Sequence, residues 1–156
     1  MKVKYSDLKN KRIFITGGGS GIGASIVEHF CEQGSEVHFV DIDLKETKKL
    51  LNKINKNKFR TPTFIECNLL DINKLEKTIK NIIAKKGPIH VLVNNAANDD
   101  RHTTDQVDEK YWENRMAVNL KHYFFAAKAV VRSMMKMKAG SIVNLSSVSW
   151  MLGEGG

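Results

Sequence analysis

Short apolar runs alternate with longer amphipathic stretches along the chain, and that alternation predicts its elements. Ile13-Phe14-Ile15 marks a first strand over Arg12 to Thr16. In the helix that follows, Ile22, Ile26, Val27 and Phe30 fall on one side, and Gly34 supplies its stop. Val37-His38-Phe39-Val40 makes a second short strand that ends at Asp41. Asp43 can cap a second helix whose Leu44, Leu50, Leu51 and Ile54 face inward while its lysines face out. Thr63 to Cys67 predicts a third strand. Asp71 then precedes a stripe of Ile72, Leu75, Ile79, Ile82 and Ile83, closed by Gly87-Pro88. Ile89 to Val93 is a fourth strand, and Asn94 to Gln106 is a polar loop. From Asp108 a long helix carries Met116, Leu120, Phe124, Ala127 and Val131 to near Gly140. Ser141 to Leu145 is the fifth strand.

Strands alternating with helices across short connections imply parallel pairing through right-handed crossovers. Near-continuous apolar strands imply helices on both faces of the sheet. The expected fold class is α/β: a Rossmann-like, doubly wound parallel sheet of about five strands, in a single domain over residues 1–156. No linker, low-complexity tract or repeat interrupts it.

Composition narrows the setting. A hydrophobic content of 42% with 27% charged residues suits a globular chain with a real core. No apolar run approaches the ~20 residues that span a bilayer, and Met1 to Tyr5 lacks the apolar segment of a signal peptide. A cytoplasmic protein with no membrane partner is expected. Cys31 and Cys67 belong to no Cys-x-x-Cys or Cys/His cluster, so they read as buried reduced thiols. No metal site is expected, and His102 has no second His or Cys at ligand spacing. A formal charge of +8 raises nucleic acid as a partner. The lysines, however, are spread over several helices without interleaved aromatics, so no nucleic acid is expected.

The candidate chemistry begins at Thr16 to Gly23, Thr-Gly-Gly-Gly-Ser-Gly-Ile-Gly, between the first strand and the first helix. Without Cβ atoms, such a turn lets a ligand phosphate approach backbone N–H groups at a helix N-terminus. Gly19, Gly21 and Ala24 match Gly-x-Gly-x-x-Gly/Ala, a pattern that glycine-rich turns also meet by chance. Its place after a strand, with Asp41 twenty residues beyond Gly21, makes it a much stronger signal for a dinucleotide. A carboxylate there can accept both ribose hydroxyls of adenosine and would repel a 2′-phosphate. No Arg or Lys in the turn offsets that repulsion, so NAD is favoured over NADP. The bland alternative for Asp41 is a turn-forming residue.

Thr16-Gly17-x-x-x-Gly21-Ile22-Gly23, Asn94-Asn95-Ala96-Ala97, the helical Asn119 and Ser147 follow the order and spacing of the short-chain dehydrogenase/reductase family. The resemblance covers essentially the whole chain. The wording at 98–102, Tyr111-Trp112, 116–120 and 147–150 is most similar to NAD-dependent aldose 1-dehydrogenases of the D-xylose type. Such enzymes pass hydride from the anomeric carbon of an aldose to NAD and give a lactone. The resemblance assigns Gly17, Ser20, Gly21, Ile22 and Gly23 to the pyrophosphate and nearby ribose, and Asp41 to the adenine ribose. Asn68 and Leu69 would flank adenine, and Asn95 and Ala96 the nicotinamide-side ribose. Asn68 stands where the family usually has Asp, and Ala97 where it usually has Gly; Asn can still accept from the adenine amino group through its carbonyl oxygen.

By the same resemblance Ser147 holds and polarises the substrate oxygen, and Asn119 holds a water in a proton relay. A strand-end hydroxyl and a helix polar residue bonded to backbone are the alternatives. Asn98, His102, Ser147 and Trp150 are candidate substrate contacts, with Asp99, Asp100 and Arg101 nearby. A solvated loop explains 99–102 nearly as well; Trp150 suits a sugar face or the core equally, and Trp112 with Tyr111 suits a helix-start anchor. The family's base is a Tyr with a Lys four residues later, which would fall near position 160, beyond Gly156. The expectation is therefore an N-terminal portion, without turnover by itself. Its fifth strand would have an open edge and its long helix an uncovered apolar patch. The family implies a homo-oligomer, dimer or tetramer, for the full-length form. The alternatives are a non-catalytic dinucleotide-binding fragment, or a reductase of another alcohol or ketone such as a 3-oxoacyl thioester.

Overall fold

The strands Arg12–Thr16 (β1), Glu36–Asp41 (β2), Thr63–Glu66 (β3), Val91–Asn94 (β4) and Ser141–Asn144 (β5) form one sheet in the order β3-β2-β1-β4-β5. Every neighbouring pair is parallel. The computed structural model describes residues 3–148 and Met151. The helices are Gly21–Glu32 (α1), Leu44–Lys56 (α2), Ile72–Lys86 (α3), Glu109–Met116 (α4) and His122–Met137 (α5), with a π-helical turn, Ala117–Lys121, joining the last two. This is the doubly wound α/β arrangement that the alternation predicts.

Period-two alternation divides β1 between two cores. Ile13 and Ile15 pack with Val27, Cys31, Leu50 and Ile54 beneath α1 and α2. Phe14 points the other way, into Leu75, Ile79, Leu92, Ala126 and Val130 beneath α3 and α5. Each fully buried aliphatic or aromatic side chain contributes about 1.5–3 kcal/mol of transfer free energy. Three aspartates start helices as their positions suggest: Asp43 accepts from Glu46 N–H (3.0 Å), Asp71 from Lys74 N–H (2.9 Å) and Asp108 from Tyr111 N–H (2.7 Å). Gly34, at φ +79°, closes α1.

Some inward faces differ from the sequence expectation. Leu44 is 53% exposed, because it lies at the carboxyl edge of the sheet and the buried stripe of α2 begins a turn later with Thr47, Leu50 and Ile54. Ile22 is 68% exposed and borders a cleft, while α1 buries Gly23, Val27 and Cys31. β4 starts at Val91, and Ile89 joins the core before it.

The largest difference lies in the long helix. Its π-helical turn resets the side-chain phase, so α5 buries His122, Ala126, Val130 and Met134. Met116, Leu120, Phe124 and Val131, the apolar row that the periodicity picks out, lie exposed, Phe124 by 65%. Only Ala127 of that row packs on the core. Ile142 and Val143 of β5 are exposed as well, one on each face of the sheet, and β5 is a sheet edge among the described residues.

Candidate functional site

The strand order reverses at β1: β2 and β3 extend to one side, β4 and β5 to the other. Ligands of open parallel sheets bind at such a switch point, beyond the carboxyl ends of the strands. A cleft of ≈ 600 Å³ opens there. Of the residues assigned to a dinucleotide, Gly17, Ser20, Ile22, Gly23, Asp41, Asn68, Leu69, Asn95 and Ala96 line it. Gly21 does not; it borders a separate depression between α1 and α2.

The turn is built by close approach. Gly17 has φ +66°, and a Cβ there would lie 2.8 Å from Ala96 Cα; a Cβ on Gly23 would overlap Gly17 O. The glycines therefore let α1 seat against the turn, with Gly17 and Gly18 N–H both donating to Val40 O (2.8 and 3.2 Å). No acidic residue occupies the first turn of α1, and Ser20 makes no side-chain cap, so the helix N-terminus presents its N–H groups without a competing carboxylate. The cradle thus suits a pyrophosphate.

Asp41 closes one side. Its carboxylate accepts from Gly19 N–H (2.7 Å), Ile42 N–H (2.7 Å) and Asp43 N–H (2.9 Å), which orients it at the cleft edge. Beside it, Asn68 Oδ1 already accepts from Leu70 N–H (3.0 Å) and keeps one further lone pair for a ligand donor.

Asn95 works as a tie. Its Nδ2 donates to Thr16 O (3.1 Å) and Gly17 O (2.9 Å), joining the glycine turn to the end of β4. Thr16 Oγ1 accepts from Asn95 N–H (3.0 Å) and Ala96 N–H (3.2 Å) and lies 3.2 Å from His122 Nε2. His122 Nδ1 lies 2.6 Å from Val118 O, so Nδ1 carries the proton and Nε2 accepts from the threonine hydroxyl. Burial pushes the His122 pKa down to about 4, with the Val118 bond opposing. Thr16 and His122 are supports that sequence reasoning missed; the signal present was a lone His in an i, i+4 row with Val118, Ala126 and Val130.

The far wall is the polar loop. Asn119 Oδ1 accepts from Asn98 N–H (2.7 Å), and its Nδ2 donates to Asn98 O (3.0 Å). Asn98, Asp99, Asn114 and Val118 line the cleft here, the last two unforeseen. Asp100 pairs with Arg115 (2.7 Å), whose hydrogen bond holds that carboxyl below the usual range. The Arg115 guanidinium also lies 4.6 Å over the Tyr111 ring, and the Tyr111 hydroxyl sits 2.7 Å from His102 Nδ1. Tyr111 therefore anchors the loop, while Trp112, expected with it to anchor the helix start, is exposed. Ser147 follows β5 and is exposed, outside the cleft lining; His102 is likewise outside it. Trp150 lies outside the described residues. Among the described residues no group of three or more His, Cys, Asp or Glu side chains is arranged for a metal ion, and no helix is long and apolar enough to cross a membrane.

Comparison with known proteins places this arrangement. The Caulobacter vibrioides D-xylose 1-dehydrogenase is 42% identical over 149 residues, 96% of this chain and 58% of that protein. The Rhizobium meliloti protein "Probable galactose dehydrogenase GalD" is 40% identical over the same shares. The chain thus spans little more than half the length of these relatives. Among solved structures, the Thermoplasma acidophilum aldohexose dehydrogenase AldT in ligand-free form superposes with a TM-score of 0.78 at 31% identity, over 93% of this chain and 52% of that one. The profile described as short chain dehydrogenase matches residues 11–154, and the chain belongs to that family.

Proposed function

We propose that this chain is the nucleotide-binding portion of an NAD-dependent aldose 1-dehydrogenase. Short-chain dehydrogenases use a nicotinamide dinucleotide, and the residues around the switch-point cleft suit one: an open helix N-terminus for the pyrophosphate, and Gly17 and Gly23 where a Cβ would fill the cradle. The observation that carries the reading is Asp41, an oriented carboxylate at the end of β2 and the edge of the cleft. It favours the ribose diol of NAD and opposes the 2′-phosphate of NADP. Asn68 and Leu69 then flank adenine, and Asn95 and Ala96 the second ribose. Asn119 and Ser147 serve the reaction, Ser147 by holding the substrate oxygen. Asn98 and His102 serve as substrate contacts. The sugar substrate rests on the names of the relatives, D-xylose and galactose dehydrogenases.

Calorimetry with both cofactors tests the nucleotide. NAD+ is expected to bind at least about tenfold tighter than NADP+, a difference of about 1.4 kcal/mol, and Asp41→Ala to narrow that gap. Equal or tighter NADP+ binding would overturn the assignment. For the substrate, a protein in which this chain continues through a Tyr-x-x-x-Lys segment is assayed for NADH formation. Turnover of D-xylose or D-galactose is expected; inertness toward sugars with activity on a 3-oxoacyl thioester favours the other class.

A further inference from the structure

We propose that the groove between α3 and α5 docks an acidic amphipathic helix of a partner protein. The two helices follow parallel crossovers over the same sheet face and so run alongside each other. A groove of ≈ 630 Å³ opens between them on the side away from the sheet, with Ile83, Ala84, Ala129 and Met137 among its lining. Glu76 and Gly87 mark its extent on α3, about 16 Å at the helical rise, or some three turns.

Its rim is cationic and periodic. Lys128, Arg132 and Lys136 line it at four-residue spacing along α5, and Lys80 faces them from α3. The one carboxylate in the lining, Glu76, is shared by Lys80 (3.0 Å) and Lys128 (4.0 Å). Arg132 and Lys136 make no ion pair among the described residues. An occupant must therefore cover an apolar strip and present several negative charges spaced by one helical turn, about 5–6 Å. A helix with an apolar stripe beside a row of Glu or Asp meets both demands at one pitch. A single-headed lipid would engage one cation, a nucleic acid would leave the apolar strip uncovered, and a second copy of this chain would bring the same cationic face.

The test uses the intact chain and a lactam-bridged peptide of about eleven residues, with Glu at every fourth position beside a Leu stripe, followed by fluorescence anisotropy. Binding is expected to weaken at least about tenfold in Arg132→Glu/Lys136→Glu. Ala84→Phe, which fills the groove from an exposed position, is expected to weaken it comparably. Lys45→Glu/Lys48→Glu, an equal change of charge at exposed positions of α2, is expected to leave affinity unchanged. Thermal unfolding confirms that each variant is folded. The proposal is overturned if the α2 reversal weakens binding as much as the groove reversal, if a sequence-scrambled peptide of the same composition binds equally well, or if the peptide does not bind.

Discussion

Acid should weaken this fold through one imidazole, His122. The side chain is fully buried, its Nδ1–H is committed to Val118 O, and its Nε2 accepts from the Thr16 hydroxyl. A second proton would aim an N–H at a hydroxyl oxygen that already accepts from Asn95 and Ala96. The pKa accordingly falls from 6.5 to about 4 in the folded chain. Between those values the unfolded chain binds a proton that the native one refuses, so stability rises with pH across the window. The contribution is present in full above about pH 6.5 and is lost as pH falls through about 4. At about 1.4 kcal/mol per pH unit, the interval amounts to about 3 kcal/mol. Urea unfolding across this pH range, on the natural chain and on His122→Gln, measures it. Glutamine lacks the titration while its amide reaches toward Thr16, so the stability advantage of histidine should shrink by about 3 kcal/mol on acidification. His38 and His90, which burial also holds below the ordinary range, titrate in both chains and cancel. An advantage constant with pH, or an NMR titration of His122 near 6.5, would refute the reasoning.

Three further outcomes follow from the same geometry. Gly23→Ala drives a methyl into Gly17 O and to 2.6 Å from Asn95 Nδ2; it is expected to cost about 1–3 kcal/mol in thermal unfolding and most of the affinity for a nicotinamide dinucleotide in calorimetry. Gly21→Ala meets no atom within 4 Å and should cost only the left-handed penalty at φ +52°, about 1–2 kcal/mol. Thr16→Val keeps the shape but removes the acceptor of two backbone N–H groups, so a loss of at least about 2 kcal/mol is expected by urea titration, with backbone amide shifts at Asn95 and Ala96. Burial pushes the Cys31 thiol up to about 12 and the Cys67 thiol upward, so a chromogenic disulfide reagent at neutral pH should modify neither thiol until denaturant is added.

Much of this architecture was legible in the sequence because its signals are local. Ile13-Phe14-Ile15 is apolar on both faces and can only be a covered strand, and Asp43, Asp71 and Asp108 each stand one residue before a helix they cap. The turn after β1 was legible because glycine at 17 and 23 answers a steric demand that no other residue meets. What escaped depends on partners distant in sequence. A π-helical turn shifts the helix phase by a fraction of a turn, so Met116, Leu120 and Phe124 kept a plausible inward spacing while the buried face moved to His122 and Ala126. Asn119 is plainly a hydrogen-bonding residue, but its partner is the backbone of Asn98, twenty-one positions away. The Thr16–His122 contact spans 106 positions and leaves no local trace.

These long-range bonds change how the cleft should be understood. Several polar side chains that the sequence offers to a ligand are already engaged with this chain's own backbone or neighbours: Asn95 with the turn, Asn119 with Asn98, Asp100 with Arg115, and His102 with Tyr111. The atoms already engaged include the amide nitrogens of Asn95 and Asn119, Asp100 Oδ2 and His102 Nδ1, and a ligand that took their place would have to break those bonds, whereas acceptor positions outside them, such as Asn95 Oδ1, can meet a ligand as they stand. The N–H groups at the start of α1, the small residues of the turn, and the spare lone pairs of Asp41 and Asn68 also meet a ligand without such a cost. The polar loop is then a fixed wall rather than a set of free fingers, because Arg115 and Tyr111 hold it from α4 and Asn119 from the π-helical turn. Selectivity at that wall should follow its shape and the backbone groups of 98–100. Asp100→Asn, which weakens the Arg115 clamp, should therefore disturb recognition by moving the loop, even where no contact from Asp100 itself is lost.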